Sequence, residues 1–187
     1  KQVKNLDGII VNSNDEEMLD VAKNLGVDTV KRDNYFASNN VSINEVYKNL
    51  NSNCNSDIVV YANATNPLTE TSSIEQAIDY FLNLDNKHDT VNSVHLIKEF
   101  LWQDKFPLNF ELRNMPRSQD LPNIYTFNFA FAIFNRELAV KQSRIIGDNP
   151  YLYELSAIEA IDIDNELDFE FAEFMYKKYR MNNYVKN

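Results

Sequence analysis

The stretch DIVVYANATNPLTETSSIEQAIDYFLNL, residues 57–84, passes from one structural period to another within a few residues. Ile58, Val59, Val60 and Tyr61 form a short β-branched and aromatic run, which reads as a buried strand. The segment from Thr71 places Ile74, Ala77, Ile78, Phe81 and Leu82 at helical spacing on one face. Between them lies a polar turn, ANATNPLT, holding Asn63, Thr65 and Asn66. A strand that feeds an amphipathic helix through a polar loop is the building unit of α/β domains.

The same alternation extends in both directions. Upstream, GIIVNS (8–13) reads as a strand and NDEEMLDVAKNLGV (14–27) as a helix with an Asn or Asp cap, an acidic first turn and Gly26 at its end. DTVKR (28–32) is a second strand and SINEVYKNLN (42–51) a second helix. Downstream, DTVNSVHLI (89–97), FNFAFAIFN (127–135), YLYEL (151–155) and EAIDID (159–164) read as strands. RELAVKQ (136–142) and the segment running to about Tyr179 read as helices. The expected fold is a doubly wound, mostly parallel α/β sheet in one domain over 1–187. The rhythm breaks over about 99–128, a proline- and aromatic-rich stretch too long for an ordinary connection. It predicts a protruding irregular or β arm, with its aromatics ranked first as interface anchors.

Composition narrows the function classes. The 187 residues carry 44% apolar and 25% charged side chains, with a formal net charge of -10. That acidity argues against a nucleic-acid partner, which would need a basic stripe. No run approaches the roughly 18 apolar residues of a membrane span. One cysteine, Cys54, leaves no internal disulfide and fits a reducing cytoplasm. Three isolated glycines cannot build a glycine-rich phosphate loop.

In AIDID the strand period would put Asp162 and Asp164 on one face, about 7 Å apart. At the carboxyl end of a strand, such a pair can hold one hard cation, with water and phosphate oxygens completing its shell. A helix cap at Asp164 or Asn165 explains the same spacing equally well. Arg32, the Asn63–Asn66 turn, and the Arg117, Ser118 and Gln119 triplet are weaker polar candidates.

Four collinear segments resemble the CMP-N-acylneuraminate cytidylyltransferases, which activate sialic acid with CTP. They are residues 7–38, ATNPLTETSSIEQAI (64–78), PRSQDLPNIYTFN (116–128) and, most specifically, IDIDNELDFEFAE (161–173). The resemblance implies a Rossmann-like nucleotidyltransferase fold and a homodimer whose central arm reaches into the neighbouring site. It implies Mg2+ at Asp162 and Asp164, nucleotide contacts from Arg32, Ser38 and Ser42, and sugar-acid contacts from Asn63, Thr65, Arg117, Gln119 and Asn128. The implied reaction is attack of a sugar anomeric hydroxyl on the α-phosphate of CTP, releasing pyrophosphate.

Three departures stand beside it. The family's opening strand and phosphate-holding loop find no match in this chain, so residues 1–187 alone are expected to be inactive. Thr69 and Thr126 stand where the family has arginines, and Phe129 where it often has glycine. Two alternatives remain at this level: a degenerate nucleotidyltransferase domain serving as a binding or assembly module, and a glycosyltransferase using D-I-D as a D-x-D metal triplet.

Overall fold

A computed structural model describes residues 2–85 and 87–181. Among the described residues, eight strands and five α-helices follow in the order β1 (Ile10–Ser13), α1 (Glu16–Asn24), β2 (Asp28–Lys31), α2 (Ile43–Ser52), β3 (Ile58–Ala62), α3 (Thr71–Leu82), β4 (Thr90–Ile97), β5 (Trp102–Gln103), β6 (Phe106–Pro107), β7 (Ile124–Asn135), α4 (Arg136–Gln142), β8 (Pro150–Glu154) and α5 (Glu166–Met175). The central sheet has the order β3-β7-β4-β8. β8 runs parallel to β4, while β7 is antiparallel to both β3 and β4, so three of the four strands share one direction. β1 and β2 form a separate parallel pair.

Helices cover both faces of the central sheet, and β7 shows why. Its side chains alternate, and both faces are apolar. Phe131 and Ile133 pack with Ala77, Ile78 and Phe81 of α3. Ala132 and Phe134 pack with Tyr47 of α2 and Ala139 of α4. All four β7 side chains are fully buried. A strand apolar on both faces is stable only between two helical layers. The doubly wound reading of the sequence therefore holds.

The local signals resolve cleanly. Asp15 caps α1 by accepting from the Met18 amide, and Gly26 follows the helix in the left-handed conformation, φ 67°. Ser42 and Glu45 form a reciprocal capping box on α2. Gly147 lets the chain pass close to Asp89, whose carboxylate accepts from the Asp148 and Asn149 amides and so sets the entry to β8.

Three expectations need correction. EAIDID is not a strand: residues 157–160 form turns and 161–163 run outside any ladder. The Ile163 amide donates to the Thr65 carbonyl at 2.9 Å, and Asn66 Nδ2 donates to the Ile161 carbonyl at 3.2 Å. The segment is tied to a loop instead of a neighbouring strand, so its apolar/polar alternation persists without a ladder. The arm ends sooner than 128, because Ile124–Phe127 pairs with β4 as the first part of β7. Leu82, placed on the apolar face of α3, is exposed; helical rotation carries it past Ile78 and Phe81, which make the contact.

Candidate active site

Several polar candidates lie at or just beyond the carboxyl ends of β1, β2 and β3. Ser13 closes β1, and its carbonyl accepts from the Arg32 amide just beyond β2. After β3, the Asn63 amide donates to the Ala130 carbonyl at 3.3 Å, which ties the polar turn to β7. Asn66, 4% exposed, then reaches across to Ile161 and holds the aspartate segment against the same turn. Glu159 secures the other side. Its carboxylate accepts from Ser73 Oγ at 2.5 Å and from the Glu70 amide, next to the start of α3. A carboxylate there also satisfies donors at the positive end of the helix.

The two aspartates are not consumed by capping. Asn165 is the N-cap of α5, and it forms a capping box with Asp168. Asp168 also accepts from the Asp164 amide at 3.0 Å. Asp164 is exposed and Asp162 half-buried. Asp162 Oδ1 is buried and has no hydrogen-bond partner.

That orphan has company. Among the described residues, Asn12 Oδ1, Arg32 Nε, Asn66 Oδ1 and Asn128 Nδ2 are also buried without partners; Asn49 Oδ1, on α2, completes the set. Native structures leave few such atoms, because each costs about 1–3 kcal/mol. Here five of the six belong to residues at the ends of β1, β2 and β3, in the β7 bulge or in the aspartate segment. Electrostatics joins three elements of the same region. Burial pushes the Tyr61 phenol above its ordinary value, Arg32 pulls it down and Asp162 pushes it up. Arg32 and Asp162 therefore both lie within electrostatic reach of Tyr61.

A second cluster lies where β4 meets β7. The register slips between Asn92 and Val94, so the β7 residues 128–131 form a bulge. Phe129 sits in the left-handed region at φ 58°. Ser93, fully buried, seals the bulge: its hydroxyl lies 2.6 Å from Asn128 Oδ1 and 2.9 Å from the Phe131 carbonyl, and it accepts from the Phe131 amide. Because the Ala130 amide also donates to Asn128 Oδ1, the Asn128 amide nitrogen is the free end. Two residues back, Thr126 Oγ1 lies 2.8 Å from His95 Nδ1 across the strand pair.

Other expected contacts are occupied elsewhere. Ser42 is engaged in the α2 cap. Ser38 donates to the Tyr35 carbonyl in a surface turn. Arg117 grips Asp120 through Nε at 2.7 Å and Nη2 at 3.3 Å, and its side chain is 74% exposed. Gln119 is exposed beside it, and Asn63 and Thr65 are half-buried in the turn, Thr65 contributing its carbonyl. The sequence reading misses Tyr61, His95, Ser93 and Asn12. Of these only Asn12 carries a signal, as an amide inside the apolar run IIVNS.

Residues 1–186 match the Cytidylyltransferase family. The chain belongs to that family. Among curated relatives, it is 25% identical over 186 residues to the post-translational flagellin modification protein B of Campylobacter coli, spanning 91% of this chain and 77% of the relative. It is 34% identical over 62 residues to CMP-N,N'-diacetyllegionaminic acid synthase of Campylobacter jejuni, a match spanning 33% of this chain and 26% of that protein. Solved structures share the fold. The 4-diphosphocytidyl-2C-methyl-D-erythritol synthase of Anaerococcus prevotii superposes with a TM-score of 0.68 at 12% identity, covering 94% of this chain and 81% of that one. CMP:2-keto-3-deoxy-manno-octonic acid synthetase, solved with CTP, gives 0.62 at 10% identity over 95% and 84%.

Metal capacity can be judged from this cytidylyltransferase's own residues. No group of three or more His, Cys, Asp or Glu side chains gathers among the described residues. Mg2+ does not need one, since it is bound through one or two carboxylates with water and substrate phosphates. A half-buried carboxylate with an unpartnered oxygen, beside an exposed second aspartate, fits that donor set. No helix among the described residues is long and apolar enough to cross a membrane.

Proposed function

We propose that this cytidylyltransferase activates a sialic-acid-like sugar acid, joining it to CMP and releasing pyrophosphate with the help of Mg2+. The observation that carries the reading is the unpartnered, buried Oδ1 of Asp162, next to Asp164 and freed from capping by Asn165. Bound Mg2+ would neutralise phosphate charge and polarise the reacting phosphorus centre. Asp162 and Asp164 would hold it, and Arg32 would meet a phosphate or the nucleotide from the β2 side. The Asn63–Asn66 turn and Asn128 would face the sugar, with Arg117 and Gln119 as more distant candidates. Holding the anomeric hydroxyl in line with the α-phosphate supplies much of the remaining rate. Family membership and a CMP-sugar acid synthase among the relatives support this reading over the binding-module and glycosyltransferase alternatives.

The test is CMP-sugar formation by the full-length protein from CTP and N,N'-diacetyllegionaminic or N-acetylneuraminic acid, with Mg2+ and with EDTA. Product with Mg2+ and none with EDTA is the expected result. Equal product in both would remove the metal from the reaction.

The arm supports a homodimer. Trp102, Phe106, Leu108, Leu112 and Met115 are each half or more exposed, which is unusual for adjacent large apolar side chains. Phe106→Asp is expected to shift the protein from dimer to monomer by light scattering coupled to gel filtration. A wild type that is monomeric at micromolar concentration would refute the arm's role.

A further inference from the structure

The proposed substrate brings its own carboxylate into a chain of net charge -10 whose candidate site already carries Asp162 and Asp164. Like charges at short range are costly, so that carboxylate needs a donor well away from the aspartate pair. Arg32, its Nε unpartnered, is assigned above to a phosphate or the nucleotide; Arg117 holds Asp120, and Lys98 Nζ donates to the Leu121 carbonyl and to Asn123 Oδ1. One pair of groups at the β4–β7 junction is still free to receive an anionic oxygen. Asn128, 7% exposed, has its acceptor oxygen fixed by Ser93 and by the Ala130 amide, leaving Nδ2 unpartnered. Two residues back on β7, half-buried Thr126 holds half-buried His95 of β4 at 2.8 Å.

We infer that His95, positioned by Thr126 and flanked by the free amide of Asn128, binds the carboxylate of the sugar acid and so determines substrate specificity. This rests on the sugar-acid cytidylyltransferase reading above. Several observations converge on it. Residues 126 and 128 fall on one side of a strand by its period of two, until the bulge begins. Thr126 Oγ1 lies 2.8 Å from His95 Nδ1 and 3.4 Å from Nε2, so the short contact engages Nδ1 and Nε2 keeps the capacity for a second partner. The bulge excludes Asn128 from the sheet ladder while Ser93 fixes its rotamer, which leaves an amide donor already desolvated and oriented. A carboxylate accepting from an amide and an imidazole gains charge-assisted bonds at little cost in ordering the protein. Phe129, in the left-handed region, packs on Phe127 with ring centroids 4.2 Å apart.

The experiment compares the full-length wild type with His95→Gln and Thr126→Val, using whichever of N,N'-diacetyllegionaminic and N-acetylneuraminic acid the wild type consumes, and the methyl ester of that sugar. The expected result for His95→Gln is a KM for the acid raised about 10- to 100-fold, with the KM for CTP unchanged. The KM for the ester should match wild type, because the ester lacks the charge that His95 reads. Thr126→Val should move the same constants in the same direction by a smaller factor. An unchanged acid KM in both variants, or equal rises for acid and ester, would overturn the assignment while leaving the cytidylyltransferase reading intact. A wild type that forms CMP-sugar from neither acid overturns that reading, and the His95 assignment falls with it.

Discussion

Replacing Asp162 with asparagine in the full-length protein is expected to lower Mg2+-dependent CMP-sugar formation by about 10²- to 10³-fold. The substitution keeps shape and volume, so it isolates charge. Asparagine still offers one oxygen to the position where Oδ1 now lies buried and unpartnered. It lacks the negative charge that makes a carboxylate a ligand for a hard divalent cation. Folding should be little affected, since no cap or strand depends on this carboxylate: the cap of α5 belongs to Asn165 and Asp168, and the tie to the polar turn runs through the Ile161 and Ile163 backbone. An unchanged melting temperature with lost turnover is thus the expected combination. Asp164→Asn should follow the same pattern to a lesser degree, because that side chain is more exposed and more easily replaced by water. Turnover within about twofold of wild type for both variants would exclude the pair from the chemistry.

Much of this arrangement is legible in the order of the amino acids, and the limits are physical. Strands and helices follow from periodicity because both faces of the sheet are covered, so apolar runs and amphipathic stretches are unambiguous. The aspartate segment reads wrongly as a strand because alternation reports which side chains point inward, not what the backbone pairs with. The partner of Ile163 is the Thr65 carbonyl, a contact between residues far apart in sequence that no local pattern encodes. The start of β7 is hidden for another reason. Leu121, Pro122 and Asn123 carry turn chemistry right up to Ile124, and Phe129 then breaks the ladder in a conformation seldom taken by aromatics.

At the site, the residues legible from sequence are those whose chemistry is fixed by near neighbours. Asp162 and Asp164 announce themselves by spacing. Whether they cap the last helix turns on Asn165, whose side chain takes that duty. Ser42 shows the reverse case. The resemblance places it near the nucleotide, yet its hydroxyl and backbone amide both meet Glu45, a role written in the Ser-x-x-Glu pattern itself. His95 is illegible because its significance depends on Thr126 lying opposite in the antiparallel register.

The largest effect on stability is expected from Phe131→Ala, a loss of about 3–5 kcal/mol. Phe131 is fully buried and packs with the face of α3 formed by Ala77, Ile78 and Phe81, and its ring lies 5.5 Å from that of Tyr153 on β8. Removing it opens a void between a helix, the central strand and the edge strand at once, where relaxation of any one element would disturb the other two. Total stability of a domain is only about 5–15 kcal/mol, so the variant should melt on the order of 10 °C lower by circular dichroism. The consequence reaches the site through the backbone. Residue 131 is where the bulge rejoins the ladder, paired with Ala62 and bonded to Ser93 on both its amide and carbonyl. Ser93→Ala provides the contrast: it removes no apolar volume but leaves the Phe131 amide and Asn128 Oδ1 each short of one hydroxyl partner. It should cost about 1–3 kcal/mol and loosen Asn128, raising the KM for the sugar more than that for CTP. If Phe131→Ala melted within about 2 °C of wild type, the central strand would not be the keystone between the two helical layers, and the bulge would owe its geometry to something other than that packing.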